Sequence, residues 1–380
     1  MRRALLALTG YRSGEIGTLT EGQWQSLDRL AAGHRLQPHL HGKLVRSEIE
    51  AEVPAVIAQG WQKAHRFNAI DQLVQRRALA QVAETLGERG IAVVALKGSA
   101  LAWSVWPSPA ERVMRDIDVL VPQPQASGAY RALRDAGWQA PQADGELLDR
   151  MAREETHLPP LLSPDGVTCE VHAHAWASAP LASVAMPLCD DDRMLARAVL
   201  DDTLGMLVPA DEDMLVHLVV HCAVSHLFNV GPLGLIDIDY LVAGRQVDWD
   251  AFWQRAQSEG FARPAALVVA LTDRWVRPGF QENAGCPIRA DAALLDRTQD
   301  LLVQDPEARK DINAIAGLAT GERGTRLKEA PLDQAEGSTG FRRLGRLAGR
   351  GASLAGTLLK KQNRSDGLAT ADLARWLSED

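Results

Sequence analysis

Residues 94–122 read VALKGSALAWSVWPSPAERVMRDIDVLVP. A Gly-Ser turn at Gly98 and Ser99 is followed by Arg112, then by Asp116 and Asp118 inside an apolar run. In a strand, residues two apart face the same side, so the two aspartates project together while Ile117 and Val119 point the other way. Adjacent carboxylates repel each other, and partial burial raises that cost, so a compensating positive charge is expected. A divalent cation is the simplest answer, and hard oxygen ligands suit Mg²⁺, which takes one or two carboxylates plus substrate phosphates. Upstream, Gly98 lets backbone approach a ligand, Ser99 opens a helix whose free N–H groups favour an anion, and Lys97 and Arg112 add positive charge. A phosphate-binding turn beside a carboxylate pair is the layout of metal-assisted phosphoryl chemistry.

Outward from this stretch the hydrophobic period changes twice. IAVVAL (91–96) and DIDVLV (116–121) are β-branched runs suited to buried strands, with a short helix predicted from Ser99 to Val105 between them. Ala126, Ala129, Tyr130 and Leu133 mark a helix stopped by Gly137. VTCEVHA (167–173) is a third strand, in which Val167, Cys169 and Val171 alternate with Thr168, Glu170 and His172. Glu170 thereby becomes a third acid of the same unit, as a metal ligand or as the acceptor of a hydroxyl proton. Before this unit the pattern is helical to about Leu86, with Ile70, Leu73, Val74 and Ala78 on one face and a stop at GERG (87–90). Beyond residue 185 it is helical again, in DEDMLVHLVVHCAVSHLF (211–228), where Leu215, Leu218, Val219 and Cys222 give the buried face, and from about Trp249 to Val276. The expected fold is α+β: a small mixed-sheet core over residues 89–180, an N-terminal helical region over 1–88, a C-terminal helical domain over 181–330, and a basic, partly flexible tail over 331–380.

LKGSAL (96–101), RVMRDIDVLV (112–121) and CEVHAHAW (169–176) together resemble the bacterial uncharacterised nucleotidyltransferase branch of the DNA polymerase β-like superfamily, over roughly residues 60–240. The resemblance implies a polymerase β-like core in which Gly98 and Ser99 hold the terminal phosphates of a nucleotide. It further implies that Asp116, Asp118 and Glu170 bind Mg²⁺, two ions with Mn²⁺ as a substitute, and that Lys97 and Arg112 contact phosphate. The implied reaction is transfer of a nucleoside monophosphate from ATP or another NTP to an acceptor hydroxyl, with release of pyrophosphate. The acceptor stays open among a small molecule, a peptide, a protein and a tRNA end. A catalytically silent nucleotide-binding scaffold and a metal-dependent phosphohydrolase are the competing readings. Gly98 and Asp116 stand farther apart than in the wider superfamily, a departure shared with this branch.

The remaining features bound these expectations. The 380 residues suffice for two or three compact units, and 46% hydrophobic with 24% charged residues is ordinary globular usage. A net charge of −8 argues against broad attraction to nucleic acid or anionic membranes, although Arg342, Arg343, Arg346 and Arg350 make the tail basic. No apolar window reaches the roughly 18 residues of a membrane span. The opening MRRALLALTG reads as a first helix, and four dispersed cysteines read as reduced thiols of a cytoplasmic protein. Asp213, His217 and His221 fall at i, i+4, i+8, but without an HExxH glutamate or a cysteine at ligand spacing zinc is not favoured. His221 and Asp237 are accessory candidates, for which packing competes with a direct role. IDIDY (236–240) is a second DxD without a phosphate turn before it, continuing into predicted helix. His172 and His174 read either as substrate contacts or as strand-end polar residues, and Trp103, Trp106 and Trp176 either as base-stacking or as core side chains.

Overall fold

The computed structural model describes residues 1–141, 143–321 and 360–378. Four helices come first: α1 (Arg2–Thr9), α2 (Glu21–Gly33), α3 (Gln37–Val45) and α4 (Ala55–Gly87). Helix α2 starts at a capping box in which the Thr20 side chain accepts from Gln23 N–H and the Gln23 side chain accepts from Thr20 N–H. Helix α4 ends in the predicted glycine segment, where Gly90 takes the left-handed φ of 68° that lets the chain turn into the sheet.

Next come β1 (Val94–Ala95), α5 (Lys97–Ser104), β2 (Asp116–Leu120), α6 (Ala126–Asp135), α7 (Gly145–Glu154), β3 (Leu161–Leu162) and β4 (Thr168–His172). A short helix α8 (Asp191–Ala196) precedes a hairpin of β5 (Val199–Asp201) and β6 (Met206–Val208). The six strands form one mixed sheet in the order β3-β4-β2-β1-β6-β5. Strand β2 runs antiparallel to β1 and parallel to β4, and β6 adds parallel to β1. The sheet therefore extends to Val208, past residue 180, where the sequence pattern alone turns helical. The β5–β6 hairpin carries little burial to reveal it, since Val199 and Leu200 are exposed.

Alternation along β2 and β4 sorts the two faces of the sheet. Ile117, Val119, Cys169 and Val171 are fully buried in the main core, which α4 and α6 cover from that side. Asp116, Asp118, Glu170 and His172 project from the other face, above a small apolar patch that includes Val94, Leu96 and Leu120. The predicted α6 residues Ala126, Ala129, Tyr130 and Leu133 are all fully buried.

Helix α4 departs from its predicted face. Ile70 and Leu73 are 60% and 62% exposed, and of the predicted stripe only Ala78 is fully buried. The inward face instead carries Asn68, Gln72 and Gln75, followed by Leu79, Val82 and Leu86. The amides point inward because they are hydrogen-bonded: Asn68 donates to Ala110 O at 2.8 Å, Gln72 to Arg112 O at 2.6 Å and Gln75 to Met114 O at 3.2 Å. They satisfy backbone carbonyls of the segment leading into β2.

After the sheet, α9 (Asp211–Val220) runs into a π-helical turn at His221–Ser225, followed by α10 (Leu233–Gly244), α11 (Trp249–Glu259) and α12 (Ala262–Trp275). Helix α9 is buried all round from Asp213 to Val220, so the face that carries Asp213 and His217 is buried as well as the leucine face. Helices α13 (Phe280–Asn283), α14 (Ala292–Leu301) and α15 (Arg309–Thr320) complete the second helical region. Within the predicted tail, residues 361–378 form a helix packed on α14 and α15. Asp366 of that helix accepts a two-pronged contact from Arg2 at 2.7 and 2.6 Å. The arginines at 342, 343, 346 and 350 lie outside the described residues. All four cysteines are free thiols, and no described helix is long and apolar enough to cross a membrane.

Candidate active site

The parallel pairing of β2 with β4 sets Asp118 beside Glu170 and Asp116 beside Thr168, all on one face. Asp118, Glu170 and His172 bring ligand atoms within 4.8 Å of one another. Asp118 Oδ1 accepts from Lys97 Nζ at 2.9 Å and lies 2.8 Å from His172 Nε2. Glu170 Oε2 is 3.7 Å from the same imidazole nitrogen and 3.7 Å from His157 Nε2. Among the described residues the tight group thus holds His172 where the sequence pattern suggested Asp116. Asp116 stands one pleat away, lining the same cavity.

These surroundings drive the titrations apart. Burial opposes ionisation of Asp118, but the Lys97 charge and the His172 hydrogen bond outweigh it and hold the carboxyl well below its usual range. Asp116 makes no salt bridge among the described residues; burial, then the charges of Asp118 and Glu170, push it up to about 6 against the opposing charges of Lys97 and Arg35. Burial and Lys97 work against a proton on His172, yet hydrogen bonds to Asp118 and Glu170 raise its pKa. Glu170 is lowered despite burial, through the His172 hydrogen bond and the His157 charge. The raised Asp116 reflects burial first and then the crowding of negative charge by Asp118 and Glu170, which a cation would relieve. Asp118, Glu170 and His172 are the group that could hold a metal ion, through two carboxylates and His172 Nε2, which would first have to lose its proton.

The turn before α5 holds this arrangement in place. Lys97 adopts a left-handed φ of 49°, an uncommon conformation for a residue with a side chain, and its ammonium reaches Asp118. Gly98 is closely packed: a Cβ there would lie 2.9 Å from Met114 Sδ, so the Met114 side chain would have to shift. Ser99 is buried, its hydroxyl accepting from Asp118 N–H at 2.8 Å and its own N–H bonded to Leu96 O. Its side chain therefore braces β2, while Lys97 and Gly98 line the cavity. Arg112 also lines it, but its fork is engaged by Asp237, at 2.8 Å from each carboxylate oxygen.

The cavity measures about 770 Å³, and His221, His226 and Asp237 reach it from the helices after the sheet. Asp237 also accepts from Trp106 Nε1 at 2.8 Å, so it anchors Arg112 and Trp106 together. Asp239, the other acid of the second DxD, pairs with Arg277 on a different side of α10. His221 faces His226 with ring centres 4.4 Å apart across the π turn, and burial holds both neutral. Asp213 is taken by Arg255 at 2.6 Å, leaving no histidine and carboxylate set for zinc there among the described residues. His174 bonds to Asp191 at 2.9 Å, away from His172. None of Trp103, Trp106 and Trp176 lines the cavity.

Sequence reasoning missed His157, His226, Arg35 and Arg309, all of which line the cavity. His157 and Arg35 lie in connecting segments, His226 follows the π turn and Arg309 opens α15, and none belongs to a motif. His157 reaches Glu170 because its backbone bridges to His172, a pairing with no local signature. Against known proteins, no curated sequence matches this chain. Residues 20–277, more than half of the chain, match the family described as uncharacterised nucleotidyltransferase. That span holds the Lys97-Gly98-Ser99 turn, both strand aspartates, Glu170 and His172, and the chain belongs to this nucleotidyltransferase family.

Proposed function

We propose that the protein is a Mg²⁺-dependent enzyme that transfers a nucleoside monophosphate from an NTP to an acceptor hydroxyl and releases pyrophosphate. The observation that carries this reading is the register of β2 on β4, which sets Asp118 beside Glu170 next to the Lys97-Gly98 turn on the wall of one cavity. Asp116, Asp118 and Glu170 would hold the ion, which supplies charge neutralisation on the phosphates and a lowered pKa for the attacking hydroxyl. Lys97 Nζ keeps Asp118 ionised and lies where a phosphate oxygen beside Gly98 would need a cation. His172 Nε2 holds a proton between Asp118 and Glu170, fixing both carboxylates in the geometry that receives the ion. The 770 Å³ cavity accommodates a nucleotide with room for part of an acceptor.

The test is incubation of the full chain with each labelled NTP, Mg²⁺ and a mixture of candidate hydroxyl acceptors, with pyrophosphate and orthophosphate followed separately. Pyrophosphate release is expected, falling by about 10³-fold in Asp118→Asn, a loss of several kcal/mol of transition-state stabilisation. Orthophosphate release in place of pyrophosphate, or full activity in Asp118→Asn, would overturn the assignment.

A further inference from the structure

Three arginines from three distant segments line the same cavity: Arg35 in the turn between α2 and α3, Arg115 just before β2, and Arg309 at the start of α15. Arg35 sits on a left-handed backbone with φ of 59°. Elsewhere in the chain, guanidiniums with restricted exposure fork onto carboxylates, as Arg2 does on Asp366, Arg46 on Glu111 and Arg112 on Asp237. Here no carboxylate forks onto them, although the charge of Asp116 acts on Arg35 from beyond salt-bridge distance. Among the described residues Arg35 and Arg115 make no salt bridge, and Arg309 donates only to the backbone carbonyl of Asn229. The Nε atoms of Arg35 and Arg309 are both buried without a hydrogen-bond partner. Burial, then the charges of Arg115 and Arg112, pull the Arg35 guanidinium down to about 10, and burial and Arg115 lower Arg309 as well.

Arg35 and Arg309 are half-buried and Arg115 is exposed at the cavity wall; half-burying a guanidinium without a counter-charge is costly, and like charges gathered in one cavity add to that cost. Such an arrangement becomes favourable when an anion with many acceptor oxygens enters. Phosphate oxygens match the guanidinium fork, and a polyphosphate can reach several forks at once. We propose that Arg35, Arg115 and Arg309 form a polyphosphate-binding site shared by the N-terminal helices, the segment leading into β2 and the C-terminal helices. That the anion is the tail of the substrate nucleotide, and later the leaving pyrophosphate, rests on the transfer reading above; the site itself does not. Arg309 lies beyond residues 20–277, so this chain adds to the site from outside the span that matches the family.

The test is calorimetric titration of the full chain with inorganic tripolyphosphate in EDTA, at low and high salt. Arg35→Gln, Arg115→Gln and Arg309→Gln are compared with Arg29→Gln, an exposed arginine away from the cavity. Each cavity variant is expected to weaken binding about tenfold, the triple variant to abolish it and Arg29→Gln to leave it unchanged. Without the anion, Arg35→Gln should melt no lower than the parent chain, because it removes a half-buried charge that has no salt-bridge partner, so binding lost in that variant cannot be ascribed to misfolding. Displacement of tripolyphosphate by a non-hydrolysable NTP identifies the anion as the nucleotide's tail, and simultaneous binding identifies it as a phosphate of the acceptor. Either result supports the site. Absence of binding to the parent chain, or unchanged binding in the triple variant, overturns it. A chain that binds tripolyphosphate through these arginines but releases no pyrophosphate would keep the site and lose the transfer reading.

Discussion

Asp116 and Asp118 lie two residues apart on one strand face, yet their neighbours drive their proton affinities in opposite directions. Asp118 has Lys97 and His172 at hydrogen-bond distance, while Asp116 faces the charges of its two fellow acids. Because the folded pKa of Asp116 is raised from 3.8 to about 6, the folded chain binds its proton more tightly than the unfolded chain does. The cost of ionising Asp116 is therefore absent below pH 3.8, grows through the window, and is fully present above about pH 6. Asp116→Asn should stabilise the metal-free protein by about 1–2 kcal/mol above that window, after discounting for partial exposure, and should change nothing below it. Thermal melting in EDTA across pH measures this, and an unchanged or lower melting temperature at pH 8 contradicts it; Mg²⁺ should erase the difference. Ser99 makes a second case at this scale. Losing the acceptor for the buried Asp118 N–H in Ser99→Ala should cost about 1–3 kcal/mol, seen as a lower urea midpoint.

Helix α4 is the element where a hydrophobic reading fails for a definable reason. Its inward face places Asn68, Gln72 and Gln75 at i, i+4, i+7, opposite alternate carbonyls of residues 110, 112 and 114. A helix at amide spacing thus supplies the hydrogen bonds that a neighbouring strand would give to the segment carrying Arg112 and Arg115 toward Asp116. Gln72→Leu should cost about 1–2 kcal/mol, because Arg112 O loses its donor in a partly buried setting. Ile70→Ser, on the exposed side, should change stability by no more than about 0.5 kcal/mol. Denaturant titration of both variants decides between the faces, and a larger loss for Ile70→Ser would restore the apolar stripe as the packed one.

At the scale of the whole chain, its two ends meet. Arg2 in α1 forks onto Asp366, of which the side chain is only 3% exposed, so the 361–378 helix is tied to the N-terminal helices as well as to α14 and α15. Asp366→Asn should lower stability by about 1–3 kcal/mol, since Arg2 keeps some exposure and part of its hydration. Melting temperature and protease sensitivity of the C-terminal helix report it. The cavity is likewise a property of the whole, because its lining is drawn from the helices before the sheet, from the sheet itself and from the helices after it.

Periodicity two in DIDVLV and TCEVH, and the Gly-Ser turn before them, made the α+β core and the shared face of Asp116, Asp118 and Glu170 legible, since both follow from local backbone geometry. Helix α6 was legible because most of its buried side chains are apolar, at helical spacing. Four things depended on tertiary structure. The β5–β6 hairpin joins the sheet through long-range pairing, with exposed side chains. The amides of α4 turn inward only because distant carbonyls receive them. His157 and His172 complete the acidic cluster through a bridge across a loop. Arg35, Arg115 and Arg309 share a cavity only once segments on both sides of the sheet have packed. In each case a polar group takes its role from a partner far along the chain, and hydrogen bonds and charge act between atoms in space, where sequence spacing carries no record of them.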